Sequence, residues 1–108
     1  MEAENPGAGA GPAYVLRLYI AGATPNSTRA VQNIKTICAR YLEGRYELLI
    51  VDIYQQPELA SREQIIASPT LVKVLPLPVR RLVGDLSEQG KVLAALGLSV
   101  DFDPNSLP

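Results

Sequence analysis

The sequence predicts a single α/β domain with the element order β-α-β-α-β-β-α. Three observations predict it. A β-branched and aromatic run opens the patterned part of the chain at Tyr14. An apolar stripe at helical spacing follows it. A second aliphatic run comes next, so that strand, helix and strand fall within roughly forty residues, the size of one βαβ unit. The 108 residues suffice for one core and are too few for two.

The first strand is Tyr14-Val15-Leu16-Arg17-Leu18-Tyr19-Ile20. Arg17 is its only charge, so most of the strand should be covered on both faces, as parallel strands are. Ala21-Gly22-Ala23 breaks it, and Thr24 can cap a helix that has Pro25 at its first position, where the missing N–H costs nothing. Ala30, Val31, Ile34, Ile37, Cys38, Tyr41 and Leu42 then form one apolar stripe. Gly44 supplies the stop. The second strand spans 46–54, with Leu48, Leu49, Ile50, Val51 and Ile53.

Pro57 suits the first turn of a short helix, Glu58 is favourable near its positive end, and Leu59, Ile65 and Ile66 should face inward. Leu71-Val72-Lys73-Val74-Leu75 and Val79-Arg80-Arg81-Leu82-Val83 flank Pro76-Leu77-Pro78, which suggests a hairpin with both prolines at its turn or edge. Gly84 ends it. Asp85 and Glu88 have the spacing of a capping box for a last helix, with Val92, Leu93 and Leu96 inward. This order is the thioredoxin-like arrangement. Residues 1–12 hold three glycines and two prolines, and residues 99–108 are rich in Asp, Pro and Asn. Neither end can bury enough apolar surface to offset its ordering, so the domain should be 13–98 between a disordered N-terminal tail and a C-terminal tail.

Several chemistries fall on composition. There is no histidine, hence no imidazole base, no Ser-His or Cys-His pair and no His-bearing zinc site. One cysteine makes no internal disulfide, CxxC pair or four-cysteine cluster. Thioredoxin-like folds carry their redox pair where this chain reads Ala21-Gly22-Ala23-Thr24-Pro25-Asn26-Ser27, so disulfide exchange has no thiols to run on. Pro69-Thr70-Leu71 resembles the proline that stands cis opposite the thioredoxin active site, and without a thiol it can only shape the loop. Cys38 lies on the apolar stripe and reads as a small buried hydrophobe. Gly22 begins neither a GxGxxG nor a GxxxxGK[ST], so no phosphate cradle is indicated. Asp52 and Asp85 have no evident reason to meet as acid and base, and no enzyme, cofactor or metal emerges. A net charge of −1 gives no reason to expect nucleic acid as a partner. No run approaches the ~18 apolar residues of a spanning helix, and no basic region precedes an apolar one at the N-terminus, so the expected location is the cytoplasm.

The basic residues say more. Lys73, Arg80 and Arg81 fall in the hairpin with only Asp85 near them in sequence. They read either as solvated surface or as a basic edge that docks on an acidic protein surface. Residues 1–12 and 99–108 carry Glu2, Glu4, Asp101 and Asp103, a charge of −4; the core keeps 10 bases and 7 acids, a net of +3. The value for the whole chain thus conceals a mildly basic domain.

Leu18-Tyr19-Ile20-Ala21-Gly22, Thr24-Pro25-Asn26-Ser27, Arg29-Ala30 and Ala67-Ser68-Pro69-Thr70-Leu71 resemble the KaiB family, in one register over about 14–98. So do Lys73, Leu75-Pro76-Leu77-Pro78, Arg80-Arg81 and Gly84-Asp85-Leu86-Ser87. The resemblance implies a non-enzymatic circadian-clock adaptor that binds the hexameric KaiC-type ATPase, sequesters a KaiA-like activator and competes with a SasA-like kinase. It also implies a resting homo-oligomer, tetramer or dimer, in an alternative β-α-β-β-α-α-β fold, and a binding form that is thioredoxin-like. By position it carries over Tyr46, Leu48, Lys73, Arg80 and Arg81 as partner-binding residues, with Arg29 beside them. Family members usually have Lys at Leu49 and at Gln64, and Gly-Leu-Asp-Leu where this chain reads Ala95-Leu96-Gly97-Leu98. Those departures point to a divergent paralogue serving a reduced timer or a stress-linked partner. The competing function is a thioredoxin-like input module that binds a signalling kinase.

Overall fold

The aliphatic run at Tyr14 forms the central strand. In the computed structural model, which describes residues 11–66 and 68–98, β1 (Tyr14–Ile20) lies between β2 (Tyr46–Asp52) and β3 (Thr70–Leu75), with β4 (Arg80–Val83) outside β3. β1 and β2 are parallel, joined by α1 (Pro25–Tyr41), while β3 runs antiparallel to both β1 and β4. The helices α2 (Pro57–Arg62) and α3 (Gln89–Ala95) complete the order. The expected α/β, thioredoxin-like sequence of elements is the observed one. Most of the two expected tails, and Ala67, lie outside the described residues.

Alternation along β1 sorts its side chains between two cores. Leu16 and Leu18 join Ala30, Ile34, Ile37 and Cys38 of α1 and Val92 and Leu93 of α3 in the larger one. Tyr19 points the other way and meets Val51 and Val72, with Leu59 and Ile65 packed on them. The sheet therefore carries α1 and α3 on one face and the α2 segment on the other.

The start of α1 follows the sequence closely. Thr24 has extended backbone and its Oγ1 accepts from the Ser27 N–H at 3.2 Å, with Pro25 in the first turn. Leu42 closes the helix, and Gly44, with φ +76, turns the chain toward β2. The hairpin also stands where expected, Pro76 and Pro78 in its turn. The peptide bonds before Pro69, Pro76 and Pro78 are cis.

Three expectations need correction. The second strand stops at Asp52 rather than at Tyr54, because the Asp52 Oδ1 accepts from the N–H groups of Tyr54 (2.9 Å) and Gly22 (3.3 Å) and pulls the chain into a turn. Ile66 does not face inward; it is 97% exposed, past the end of α2. Asp85 and Glu88 form no capping box, since α3 begins only at Gln89 and the Glu88 side chain makes no cap bond. Asp85 instead accepts from the Ser87 N–H at 3.1 Å and its carbonyl accepts from Asn33 Nδ2 at 2.8 Å, fastening this turn to α1.

Leu18 is fully buried in the larger core. Leu18→Ala should lower the unfolding free energy by about 2–5 kcal/mol, seen as an earlier denaturation midpoint with an unchanged slope.

Candidate protein-interaction site

Strand register sorts the basic residues. On the helix-covered face, Leu48 of β2 pairs with Leu16 of β1, Leu16 with Lys73 of β3, and Lys73 with Arg80 of β4. A single cross-sheet row thus brings together three residues expected at a partner surface, Leu48, Lys73 and Arg80. Tyr46 lies one step along the same face, opposite Tyr14, and both tyrosines pack half-buried against the larger core. The neighbouring row, Leu49, Arg17, Val72 and Arg81, faces the other way.

The two halves of the Arg80-Arg81 pair therefore do different things. Arg81 donates to the Glu63 and Gln64 carbonyls just past α2, the latter at 3.3 Å, and pairs with the Glu63 carboxylate at 3.7 Å. Arg17 reaches the same carboxylate at 3.3 Å. Arg81 thus caps the carbonyl end of α2 and, with Arg17, ties that segment to the sheet. Arg29 is engaged as well: its Nε donates to Asp85 Oδ2 at 3.1 Å, and it also donates to the Asn26 side chain. Burial and pairing of this kind could not be read from spacing. The pairing of Arg17 with Glu63 was not legible because only the fold brings them together, although a lone charge inside an apolar strand was the available signal.

Lys73 is the unusual member. It is only 4% exposed, and neither its ammonium nor the Arg80 guanidinium has a hydrogen-bond or ion-pair partner among the described residues. Burial, and then the Arg80 charge, push its pKa below the usual lysine value. Arg80 is exposed beside it. Two cations unpaired among the described residues thus stand on the same hairpin as the exposed apolars Leu77 and Val79.

Where thioredoxins carry cysteines, Thr24 Oγ1 donates to Ser27 Oγ at 2.8 Å, and that oxygen also accepts from the Ala21 N–H at 3.2 Å. Cys38 is fully buried, and burial pushes its thiol up to about 11, well above physiological pH.

The KaiB domain model matches residues 17–98. The chain belongs to the KaiB family. The circadian clock oscillator protein KaiB of Gloeothece citriformis is 51% identical over 88 residues, covering 82% of this chain and 83% of that protein. The KaiB of Synechococcus elongatus is 52% identical over 85 residues, covering 79% and 83%. Among solved structures, the N-terminal domain of Synechococcus elongatus SasA superposes with a TM-score of 0.67 at 28% identity, covering 90% of this chain and 94% of that domain. The Drosophila thioredoxin Deadhead gives 0.66 at 15% identity over 85% and 86%, a likeness of fold alone. KaiB-family sequence and thioredoxin-like fold thus meet in one chain, and no helix among the described residues is long and apolar enough to cross a membrane.

Lys73 has no counter-ion among the described residues, and burying an ammonium that they leave unpaired costs stability, so Lys73→Met should raise the unfolding free energy at pH 7 by on the order of 1–3 kcal/mol. Because the folded pKa is lowered, the penalty is full below that value and disappears as pH climbs to the unfolded lysine value of about 10.4. The variant's advantage should shrink over that window in denaturation curves recorded from pH 7 to 10.5.

Proposed function

We propose that this chain is a non-enzymatic adaptor that docks on a KaiC-type hexameric ATPase and regulates its cycle, in circadian timing or a related stress-linked timer. The observation that carries this reading is Lys73, only 4% exposed and without a counter-ion among the described residues, beside Arg80. A fold that keeps so costly a group gains most from a partner that brings a carboxylate to it. Family membership supports the choice of ring, and the names of its relatives tie them to the clock. The working unit is 13–98, placed in the cytoplasm, with a homo-oligomer as its resting state and a KaiA-like activator and a SasA-like kinase as further partners. Tyr46 and Leu48 shape the edge of the surface. Arg29 and Arg81 act chiefly through Asp85 and Glu63, holding the α3 turn and the α2 segment in place.

The likeness to the SasA domain favours one alternative, an input module that binds a signalling kinase in trans. A pull-down that captures such a kinase while ignoring every KaiC-type ring would favour that alternative.

The test is ATP-dependent co-elution with a KaiC-type ATPase. Arg80→Glu should weaken co-elution at least tenfold with the fold intact by circular dichroism, and Lys73→Met should weaken it while raising stability. Full-strength binding by both variants would remove the row from the interface.

A further inference from the structure

The end of α3 stands beside the cationic row. Gly97 has φ +82, its N–H donates to the Ala94 carbonyl at 3.0 Å, and the Leu98 N–H donates to the Leu93 carbonyl at 2.8 Å. This is the glycine-capped helix end known as a Schellman motif, completed by Leu98 packing on the core. The motif fixes where the chain leaves the helix. That place adjoins Lys73, whose Nζ lies 4.0 Å from where a Cβ on Gly97 would stand.

The described acids do not serve this site. Glu63 is shared by Arg17 and Arg81, Asp85 is held by Arg29, and Glu88 by Lys91. The next acids in chain order are Asp101 and Asp103, in a stretch, 99–108, that has no basic residue. From Gly97 to Asp101 is four residues, a reach of up to about 13–14 Å. Such a tether gives an effective concentration in the millimolar range.

We propose that residues 99–108 dock on their own domain through Asp101 or Asp103, which supply the carboxylate that Lys73 and Arg80 lack and so compete with the acidic partner. The docking itself is independent of what that partner is; its regulatory consequence rests on the reading of the row as the adaptor's binding surface. The exposed part of the pairing makes it weak, as a competitor that must yield has to be.

The experiment follows the Lys73 side-chain resonances through a pH titration of the full chain and of the full-length Asp101→Asn/Asp103→Asn variant. Removing the carboxylates should move the Lys73 titration to lower pH. Zero-length carbodiimide coupling of an equal mixture of 14N- and 15N-labelled chains should join Lys73 to Asp101 or Asp103 within one chain. The double variant should also bind the ATPase ring about three- to tenfold tighter. Identical Lys73 titrations in the two proteins, or coupling that joins 14N to 15N chains, would overturn the proposal, the second outcome assigning the site to a second copy. A wild-type chain that shows the carboxylate-dependent titration and yet binds no KaiC-type ring would sink the adaptor reading and leave the docking standing.

Discussion

Everything in this molecule is referred to β1. It is the strand that joins the parallel pair to the antiparallel one; like β3 it has neighbours on both edges and a core on both faces, and its seven residues divide the chain's apolar surface between two sides of the sheet. Leu16 and Leu18 fix the position of α1 and α3; Tyr19 fixes that of the α2 segment through Val51 and Val72. A slip of one residue would send Arg17 into the larger core and Leu18 toward α2, so the register is held by burial itself. The same register decides which basic side chains share a face. Lys73 and Arg80 meet on the α1 side because Leu16 stands opposite Lys73, and Arg81 is turned to Glu63 for the same reason.

At the place in this fold where thioredoxins carry their cysteines, the chain has hydroxyls instead. Thr24 and Ser27 keep the spacing of a CxxC pair, and their hydroxyls still contact each other across the first turn of α1. The contact now has one effect, which is to satisfy the helix's free N–H groups and that of Ala21. Hydroxyls cannot form a disulfide, so the place is a joint between β1 and α1. Cys38 cannot substitute, being sealed in the core with its thiol held protonated.

Local signals carried the regular elements in the sequence and failed where an outcome depended on distant residues. β1, the entry to α1 and the proline hairpin were legible because each rests on its own neighbours: β-branched residues, a capping threonine before a proline, and prolines that cannot join a ladder. The pair Asp85 and Glu88 had the right spacing for a capping box, yet Arg29 and Asn33, more than fifty residues earlier, draw Asp85 and its carbonyl onto α1, and the helix starts later. Glu63 shows the same limit. Its role between Arg17 and Arg81 depends on three elements that only the folded sheet aligns. Of the candidate surface, composition showed a cluster of cations in the hairpin; which of them lack a counter-ion was a question of register.

That last distinction changes what a basic surface means here. Most of its cations have local employment, and exposed pairs of this sort contribute little to stability and set mainly rate and orientation in docking. Lys73 differs in kind. Its side chain is buried, its Nζ lies beside Gly97, and burial together with the Arg80 charge disfavours the charged form, so an arriving carboxylate relieves a cost that an exposed lysine does not carry. On the proposed reading, what makes the group costly to the free protein is also what lets it discriminate in a complex. An apolar side chain at that position would make a better-folded domain and a poorer reader of charge, which is the trade expected when a binding site is placed inside the edge of a core. The adjoining end of α3 serves the same trade: the residue beside the ammonium there is Gly97, which adds no side chain between Lys73 and an arriving carboxylate.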